Sequence, residues 1–467
     1  MAALFLGADP ETNAIQRLPL ERHALTIAGS RMGKGACQII PTLREWPSST
    51  IVIDPKGEAV RETVRQRLDM GQKVAILDPM GLVDDAFSDY RTSFDPLSVV
   101  RDGGAGFRDI QMIADGIVLT SGEERDPHWN ESALSLIAGC LAYLIESEGE
   151  EAPHLGDVLT MVRVFQDPEK RPELLDEMAS CCRFGGAAAS TAALLRADTS
   201  ETNGVLSTTA RHLRFLGDED IAHVLLPAEA GGAATLNLEG LRDGTLSLYL
   251  VIDPGALVLH ARFLRLFVRM ALAVMMRTEF ADGHSSNAPC LFVLDEFFSL
   301  GKIGDIQKAA GLMPGYGVHL WPILQDWGQL VELYGAHGAQ TFLANADAVS
   351  VFGISDHTTL AQISGWFDVV STDEIRQEAL ALAGQTERSE LWRKFGPLAA
   401  GRGEFVQNQQ LAVMSALLQS LIGRPRKSPA EIQYHLGKPF GAQVAQRMYV
   451  FLRTGEILDL APTPYFG

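Results

Sequence analysis

The sequence predicts an α/β fold in which a doubly wound, mostly parallel sheet carries an inserted all-helical domain. Short apolar runs alternate with helical patterns up to about residue 95, strand patterns almost vanish over residues 96–235, and the alternation then resumes. Strands that alternate with helices are typical of parallel sheets covered by helices. The expected domains are a discontinuous sheet domain, residues 1–95 and 236–467, and a helical insert, residues 96–235.

Length and composition are those of a globular protein. The chain has 467 residues, of which 46% are hydrophobic and 21% charged, and this length suits two domains or one domain with a large insert. Lys and Arg number 39 against 58 Asp and Glu, which gives a formal charge of −19 at pH 7. Such acidity excludes nucleic-acid binding over the whole surface and restricts any such contact to a local basic patch.

Neither a disulfide framework nor a membrane span is expected. The five cysteines follow no metal-ligand spacing, and their odd number argues against a set of disulfides. The most apolar stretch, residues 264–276, contains Arg265 and Arg269 and is shorter than the ~20 residues that a span needs. The N-terminus has no signal-peptide pattern. We expect a reduced, cytoplasmic protein.

The elements of the sheet domain are predicted from apolar runs and their breaks. Residues 23–28 are predicted to form a strand that leads into the glycine-rich sequence GSRMGKGA, followed by a helix at residues 35–43. The other predicted strands are residues 50–53, 73–77, 245–252, 290–294, 319–324 and 348–354. Further helices are predicted at residues 257–280, 327–334 and 358–366. The last part of the chain is harder to assign, and the sequence does not decide between strand and helix at residues 448–452.

The insert is predicted from apolar stripes at helical spacing, which usually mark the core of a helix bundle. The stripes are Phe107, Ile110, Ile113 and Ile117; Leu134, Ile137, Leu141 and Leu144; Leu155, Val158, Val162 and Phe165; and Val205, Thr209, His212 and Leu216. The insert also has arginines that either bind phosphates or cover solvated helix faces. They are Arg163, Arg171, Arg183, Arg196, Arg211 and Arg214.

The loop between the first predicted strand and its helix is a candidate phosphate-binding loop. Its glycines allow backbone N–H groups to point at phosphate oxygens, and its lysine can reach the β- and γ-phosphates. Two positions depart from GxxxxGK[ST]: Ala28 replaces the first glycine, and Gly35 replaces the residue whose hydroxyl binds Mg²⁺. A plain strand-to-helix turn is the alternative. The candidate nucleotide-binding residues are Gly29, Ser30, Arg31, Met32, Gly33, Lys34, Gly35 and Ala36.

Polar residues follow other predicted strands, and carboxyl ends of strands are where open α/β sheets bind ligands. Asp295 is the candidate Mg²⁺ ligand, and Glu296 is the candidate activator of the attacking water. Gln325 either orients water at the γ-phosphate or begins the next turn. The sequence Asp-Pro-Lys-Gly-Glu at residues 54–58 either lines the same site or forms a polar loop. For Asp295 and Glu296, the alternative is an ordinary strand end with solvated acids.

These residues resemble a known family, the type IV coupling proteins, which are the TraG-like ATPases of conjugation and type IV secretion. The resemblance covers most of the chain from residue 23, and the family commonly has glycine after the loop lysine. The matching sequences begin with HALTIAGSRMGKGACQIIPTLREWPSSTIVIDPKGE and continue with Phe94-Asp95-Pro96-Leu97, Asp126-Pro127-His128-Trp129 before Ala133, LDEFFSLGKI (294–303), LQDWGQLVELYG (324–335), TFLANADAVSVFGISD (341–356) and RPRKSPAEI (424–432).

The resemblance implies a P-loop, RecA-like fold that uses ATP and Mg²⁺. It also implies a hexameric ring motor that delivers relaxase-bound single-stranded DNA, or effector proteins, to components of a type IV secretion channel. The helical insert corresponds to the family's all-alpha domain, which is implicated in substrate reception. Most members begin with transmembrane helices, which this sequence lacks. We therefore expect either a chain without its anchor or a member that has none, located in the cytoplasm or peripherally at the inner membrane face. In isolation, this protein is expected to be mostly monomeric and a poor ATPase.

Two other functions fit the same residues. One is a receptor platform that binds nucleotide and cargo but hydrolyses little ATP, and the presence of both Lys34 and Glu296 favours the motor over it. A double-stranded DNA pump that resembles the septal translocases shares the phosphate loop, the Asp-Pro-Lys sequence and the Asp-Glu pair. The long insert favours the coupling protein, and a turnover assay with and without DNA separates the motor from the platform.

Overall fold

The computed structural model describes most of the chain and consists of two compact units. The described residues are 2–118, 127–147, 152–197, 199–230, 232–253, 255–257, 260–277, 280–281, 284–303, 306–307, 310–367, 426–437, 442 and 444–466. The first unit comprises residues 1–353 and 438–467, and the second comprises residues 354–437. The large sheet and the predicted helical insert both belong to the first unit.

The first unit contains a nine-stranded sheet and two small hairpins. In chain order the strands are β1 (Ala3–Ala8), β2 (Ile15–Pro19), β3 (His23–Ala28), β4 (Ser49–Ile53), β5 (Lys73–Leu77), β6 (Leu246–Leu250), β7 (Phe280–Ala281), β8 (His284–Ser285), β9 (Cys290–Leu294), β10 (Val318–Leu324), β11 (Ala346–Phe352), β12 (Met448–Leu452) and β13 (Ile457–Leu460). The large sheet has the order β13-β12-β11-β3-β10-β9-β4-β6-β5, while β1 pairs with β2 and β7 with β8.

Seven strands of the large sheet are parallel, and two antiparallel strands extend one edge. Ile53 of β4 lies opposite Leu294 of β9, and Ile27 of β3 lies opposite Leu324 of β10. Strands β12 and β13 run antiparallel next to β11. Strands β3, β4 and β9 are buried along their length, as is typical of a parallel sheet with helices on both faces.

Helices connect the strands and make up the central part of the chain. The α-helices are α1 (Ile40–Glu45), α2 (Glu58–Asp69), α3 (Gly104–Ile117), α4 (His128–Glu146), α5 (Leu155–Phe165), α6 (Arg171–Ser180), α7 (Ala187–Leu195), α8 (Ser200–Leu213), α9 (Glu219–Val224), α10 (Ala261–Met275), α11 (Trp327–Ala344), α12 (His357–Ser364) and α13 (Pro429–Leu436). A π-helical turn, Gly35–Ile39, precedes α1. Short 3₁₀ turns occupy Asp85–Tyr90, Pro96–Val99, Phe184–Gly186, Arg214–Gly217, Ala228–Ala230, Leu238–Leu241, Phe297–Leu300 and Met313–Tyr316.

The predicted α/β fold class is confirmed. Between residues 96 and 234 the described residues form helices and turns and contribute no strand to the large sheet. The assignment of residues 96–235 as a separate domain remains a prediction, since they belong to the same compact unit as the sheet. Among the described residues, no helix combines the length and the hydrophobicity that a membrane span requires.

Strands near both chain ends were absent from the sequence prediction or undecided in it, and β13 is one of those that were absent. The hairpin of β1 and β2 was not predicted, and its buried residues Leu4 and Leu6 belong to the same core cluster as Trp46 and Trp321. Residues 448–452, which fitted either element, form a strand. The hairpin packs on core residues that are distant in sequence, and β12 joins the sheet by pairing with β11 about 100 residues earlier, so local periodicity alone does not reveal either placement.

The second unit contributes two described helices. Asp356 caps α12 by accepting a hydrogen bond from the Thr359 N–H, and Ser428 and Glu431 form a capping box at the start of α13. The Ser364 hydroxyl donates to the Lys427 carbonyl at 2.7 Å. This bond ties the end of α12 to the residues before α13.

Parts of several predictions lie outside the described residues. They are Asp126 of the Asp-Pro-His-Trp sequence, residues 258–259 and 278–279 of the helix predicted at 257–280, and residues 424–425 of RPRKSPAEI. For these residues the sequence-based expectations stay predictions.

Candidate nucleotide site at the carboxyl edge of the sheet

The candidate phosphate loop connects β3 to the π-helical turn that precedes α1. Gly33 has a φ of +95°, a conformation that L side chains rarely adopt, so glycine is required there for backbone reasons. The Cys37 N–H donates to the Gly33 carbonyl at 2.8 Å, which starts the helix directly after Lys34. The loop therefore leads into a helix N-terminus, which is favourable for anions.

Close contacts also restrict the glycines of this loop. A Cβ atom on Gly29 would collide with the Gly353 carbonyl oxygen at the end of β11. A Cβ on Gly33 would lie 2.5 Å from Val444 Cγ1. The loop is thus packed against two segments that are more than 300 residues away in sequence, and side chains at either glycine would displace it.

The other predicted loop residues have distinct positions. Arg31 has a φ of +59°, which makes it one of few non-glycine residues in the left-handed region. The Met32 carbonyl accepts a hydrogen bond from the Ala445 N–H at 3.2 Å, and the Ala36 carbonyl accepts one from the Tyr465 N–H at 3.0 Å. Ser30 is exposed in the turn between Gly29 and Arg31.

Lys34 lies between the two carboxylates that follow β9. Its Nζ atom is 2.8 Å from Asp295 Oδ1 and 2.9 Å from Glu296 Oε1. All three side chains are largely buried, with exposed fractions of 16%, 20% and 28%. The structure thus brings together the lysine and the acid pair that the sequence places about 260 residues apart.

Gln325, which follows β10, joins this cluster. Its side-chain Nε2 donates to Glu296 Oε2 at 3.2 Å, and its backbone N–H donates to Gln329 Oε1 at 2.9 Å. Gln329 in turn lies in the first turn of α11, where its N–H donates to the cap residue Asp326. Gln325 is therefore held in a position where it orients the Glu296 carboxylate.

Glu296 has an unusual backbone conformation. Its φ of +53° and ψ of +41° lie in the left-handed region, which costs a non-glycine residue about 1–2 kcal/mol. Its N–H donates to Asp295 Oδ1 at 3.0 Å, so the sharp turn after β9 is held by the neighbouring acid. Strained backbone of this kind is concentrated at functional sites.

Burial and charge shift the pKa values of this cluster. Burial alone would lower the pKa of Lys34, but the adjacent carboxylates of Asp295 and Glu296 outweigh it and raise that pKa. The lysine therefore stays charged at neutral pH. Burial raises the pKa of Asp295, although Lys34 opposes the shift. Lys34 is thus the main compensation for negative charge at this edge.

Asp54, at the end of β4, is a second buried acid at the same edge. Its carboxylate accepts hydrogen bonds from the N–H groups of Glu58 at 3.0 Å and Val60 at 2.9 Å. Burial, with a smaller contribution from the charge of Asp295, raises the pKa of Asp54 to about 6. The Asp-Pro-Lys-Gly-Glu sequence therefore lies near the Asp-Glu pair, because β4 and β9 are neighbours.

The sequence prediction did not include the segments that pack on the loop near the C-terminus. Val444, Ala445 and Tyr465 contact the loop or the turn after it. Gln329, which fixes Gln325, was also missed. No local sequence signal could have identified them, because each acts through a contact made only in the folded chain.

The residues present are suited to a nucleotide with its metal ion. Glycines that admit no side chain, a helix N-terminus and a charged lysine suit phosphate oxygens. Asp295 offers the hard oxygen that Mg²⁺ prefers. The described residues contain no group of three or more His, Cys, Asp and Glu that could hold a metal by themselves. Phosphate oxygens and water would therefore have to complete the coordination of any Mg²⁺.

A parallel sheet with this glycine-lysine loop after one strand and an acid pair after another defines a P-loop protein of the RecA-like kind. Residues 5–366 match the family described as Type IV secretory system Conjugative DNA transfer, which is more than half of the chain. The chain belongs to this family. The resemblance to the type IV coupling proteins is thereby confirmed.

Curated relatives agree with this assignment. The chain is 26% identical over 439 residues to the conjugal transfer protein TraG of Escherichia coli, covering 86% of this chain and 66% of that protein. It is 25% identical over 352 residues to the protein VirD4 of Agrobacterium fabrum (strain C58 / ATCC 33970), covering 73% and 49%. The chain thus spans between about half and two thirds of the length of these relatives.

Solved structures share the fold. The plasmid coupling protein TrwB in complex with the GTP analogue GDPNP superposes with a TM-score of 0.58 at 16% identity, covering 95% of this chain and 86% of that one. TrwB in complex with ADP and Mg²⁺ gives a TM-score of 0.57 at 15% identity, with coverages of 95% and 86%. At this identity the similarity establishes the fold.

Proposed function

We propose that this chain is an ATP-hydrolysing coupling protein that recruits DNA with its attached relaxase, or protein substrates, and drives them towards a type IV secretion channel. One observation carries the proposal: Lys34 Nζ lies 2.8 Å from Asp295 and 2.9 Å from Glu296. The cluster brings together the kinds of group that P-loop ATPases use, a lysine for phosphate and strand-end carboxylates for the metal and the attacking water. Membership in the conjugative DNA transfer family and the nucleotide complexes of TrwB support it.

Each residue of the cluster has a proposed task. Lys34 binds the β- and γ-phosphates, while the loop from Gly29 to Ala36 surrounds them with backbone N–H groups. Asp295 would hold Mg²⁺, and the ion would neutralise charge that develops on the phosphates. Glu296 accepts a proton from the attacking water, and Gln325 orients that carboxylate through the 3.2 Å hydrogen bond.

The ion pairs of Lys34 also favour slow hydrolysis by the chain alone. Because Lys34 contacts both acids, phosphates must compete with two carboxylates for its charge. This observation supports the second candidate function, a receptor platform that binds nucleotide and substrate but hydrolyses little ATP. The two functions differ in whether turnover rises when substrate and neighbouring subunits are present.

ATP turnover over a series of protein concentrations, with no DNA, with single-stranded DNA and with duplex DNA, tests the proposal. We expect turnover that is low in dilute protein and that rises with concentration and with single strands. Stimulation by duplex DNA alone would favour the pump that resembles septal translocases. No turnover under any condition, with nucleotide still bound, would favour the receptor platform.

We further propose that the active form is a homo-hexameric ring and that isolated chains are mostly monomers. The reason is that ring motors complete each nucleotide site with a residue from the neighbouring subunit. Electron micrographs with ATP and Mg²⁺ should show six-fold rings at high concentration. Vigorous hydrolysis that does not depend on concentration, by a protein that remains monomeric, would contradict this assembly.

The helical insert is the proposed substrate receiver, and the structure narrows its candidate arginines. Arg183 pairs with Asp102 and Arg196 with Asp176. Arg163, Arg211 and Arg214 are exposed and form no ion pair among the described residues. These three are therefore the better candidates for phosphate contacts.

Two tests address the receiver role. Replacing Arg211 and Arg214 by Ala should weaken DNA binding and reduce its salt dependence, whereas the same change at Arg183 and Arg196 serves as the control. Deletion of about residues 100–230 should keep nucleotide binding and remove substrate recognition. If the deleted protein still bound DNA, relaxase and effectors as wild type does, the insert would not be the receiver.

A further inference from the structure

Gly35 occupies the position where related phosphate loops have Ser or Thr. In those loops the residue directly after the lysine has a hydroxyl that binds Mg²⁺. This chain has no hydroxyl there, and the described residues contain no cluster of three acidic, cysteine or histidine side chains that could hold the metal alone. Beyond Asp295, then, a protein oxygen for the ion would have to come from elsewhere in the fold.

Glu58, the first residue of α2, faces the vacant side-chain position of Gly35. A Cβ atom built on Gly35 would have Glu58 Oε2 at 3.6 Å and Glu58 Cδ at 4.0 Å as its nearest contacts. A Ser or Thr hydroxyl would extend one bond beyond this Cβ atom. The carboxylate of Glu58 therefore lies close to the region that the missing hydroxyl would occupy.

The fold holds the backbone of Glu58 firmly while its carboxylate is left exposed. The Glu58 N–H donates to Asp54 Oδ1 at 3.0 Å, and Asp54 follows β4 directly. Strand β4 neighbours β9, with Ile53 opposite Leu294, so Asp54 and Asp295 follow adjacent strand ends. Among the described residues the Glu58 carboxylate takes part in no ion pair. One turn later, Glu62 Oε2 pairs with Arg44 Nη2 at 3.0 Å.

We propose that Glu58 supplies the oxygen that the absent Ser or Thr hydroxyl would contribute, and so helps to hold the Mg²⁺ of a bound nucleotide, directly or through water. The inference rests on the proposed nucleotide-binding function. It extends that function to a residue whose usual role would be limited to a favourable charge at the start of a helix.

A carboxylate in this position has a consequence that a hydroxyl lacks. Without Mg²⁺, its negative charge repels the phosphates of the nucleotide, and with Mg²⁺ it attracts the metal. Nucleotide affinity should therefore depend on Mg²⁺ more steeply in the wild type than in a variant without this charge. The ratio of Kd in EDTA to Kd in Mg²⁺ measures this dependence and does not require turnover.

The experiment compares binding of a fluorescent ADP analogue in Mg²⁺ and in EDTA for wild type, Glu58→Ala and Glu58→Gln. We expect both variants to bind more weakly in Mg²⁺ and slightly more tightly in EDTA, so that the ratio falls roughly 10- to 100-fold, the usual effect of losing a supporting metal contact. Glu62→Ala is the matched control on the same helix and should keep the wild-type ratio. Glu58 is exposed, so these variants should fold.

A rescue variant separates metal binding from helix stabilisation. Gly35 does not have a positive φ, and a side chain there meets only ordinary contacts, so Gly35→Ser fits. Adding Gly35→Ser to Glu58→Ala should restore most of the Mg²⁺ dependence. If Glu58 only stabilises the helix, its variants would lower Tm, keep the ratio and gain nothing from the serine, and this result would overturn the inference. If the wild type bound no nucleotide at all, the proposed function would fail first and this inference with it.

Discussion

Buried carboxylates have different surroundings at the carboxyl edge and at the amino edge of the large sheet. Asp54 lies at the carboxyl edge and Asp347 near the amino end of β11, and both are almost fully buried, with 5% and 6% exposed. Each accepts two backbone hydrogen bonds. Asp347 also pairs with Arg453 at 2.9 Å, whereas Asp54 has another acid, Asp295, close enough to raise its pKa further.

Buried histidines at the amino edge are also hydrogen-bonded to the backbone. His23 accepts from the Leu320 N–H through Nδ1 at 3.1 Å, so its Nε2 carries the proton and donates to the Ala310 carbonyl at 2.6 Å. Burial lowers the pKa of His23 to about 4 and also lowers the pKa of His319. The amino edge thus pairs its acid and keeps its histidines neutral, which is the arrangement of a structural region.

At the carboxyl edge the positive charge of Lys34 compensates the negative charges of Asp295 and Glu296. A third acid, Asp54, lies nearby. Like charges held close together store electrostatic energy that a bound cation or a proton can release. This difference indicates that the carboxyl edge is arranged for ligands and the amino edge for stability. Substitutions at both edges test that contrast, and those with the greatest effect concern catalysis.

At the carboxyl edge, Glu296→Gln should keep nucleotide binding and reduce ATP turnover about 1000-fold, because a general base contributes roughly 10²–10⁴ to the rate. Lys34→Ala should instead abolish detectable ATP binding, since it removes the charge that pairs with phosphate. Nucleotide titrations and turnover assays under identical conditions distinguish the two. Equal loss of nucleotide affinity in both variants would contradict the assigned roles.

The two edges should respond to pH in opposite directions. Asp54 has a pKa of about 6 in the folded protein against 3.8 as the reference value, so folding favours its protonated form and its contribution to stability is lost as pH rises from about 4 to 6. His23 has a folded pKa of about 4 against 6.5, so stability is lost as pH falls through that window. Each effect amounts to at most about 3 kcal/mol.

Urea unfolding at several pH values between 4 and 7 measures both contributions. Relative to wild type, Asp54→Asn should gain stability as pH rises, because the amide stays neutral. His23→Gln should gain stability relative to wild type as pH falls. If the two variants shifted in the same direction, the contrast between the edges would be wrong.

At pH 7 the same kind of substitution should cost more at the amino edge. Asp347→Asn removes the charge that pairs with Arg453. It also points the new amide N–H₂ at a group that is itself a donor, either a backbone N–H or the guanidinium. Together these changes should lower the free energy of unfolding by about 2–3 kcal/mol. Asp54→Asn loses one hydrogen bond but relieves repulsion from Asp295, so its cost should be at most about 1 kcal/mol. Chemical denaturation of both variants provides the comparison, and equal costs would count against it.

Within the phosphate loop, Gly33→Ala and Gly35→Ala form a matched pair. Gly33 has a φ of +95° and a Cβ there would meet Val444 at 2.5 Å, so alanine should cost about 2 kcal/mol. Gly35 has no positive φ, and a Cβ there makes only ordinary van der Waals contact with Glu58, so alanine should change stability by less than about 0.5 kcal/mol. Thermal melts suffice, and a larger loss from Gly35→Ala would show that the loop packs differently.

Some of the sheet could be predicted residue by residue. Strands β3, β5 and β9 begin and end at the predicted positions, because each is a mostly apolar run with a polar residue, glycine or proline at or next to its ends. The helix predicted at residues 327–334 ends where predicted: α11 is interrupted at Gly335, whose φ of 71° and ψ of 169° are not helical, and a second helical segment follows up to Ala344. Glycine adopts such a conformation without a side-chain clash, so a local signal marks the break.

The local sequence is sufficient to identify the residues that stand at strand ends and loops: Lys34 after a glycine-rich turn, and Asp295, Glu296 and Gln325 after apolar runs. Burial and backbone preference act over a few residues, so a short stretch of chain reveals them. The pairing of Lys34 with both acids and the approach of Glu58 to Gly35 arise from the folded chain alone. These contacts join segments up to about 260 residues apart. They depend on strand order and register, which the local pattern of a chain does not encode.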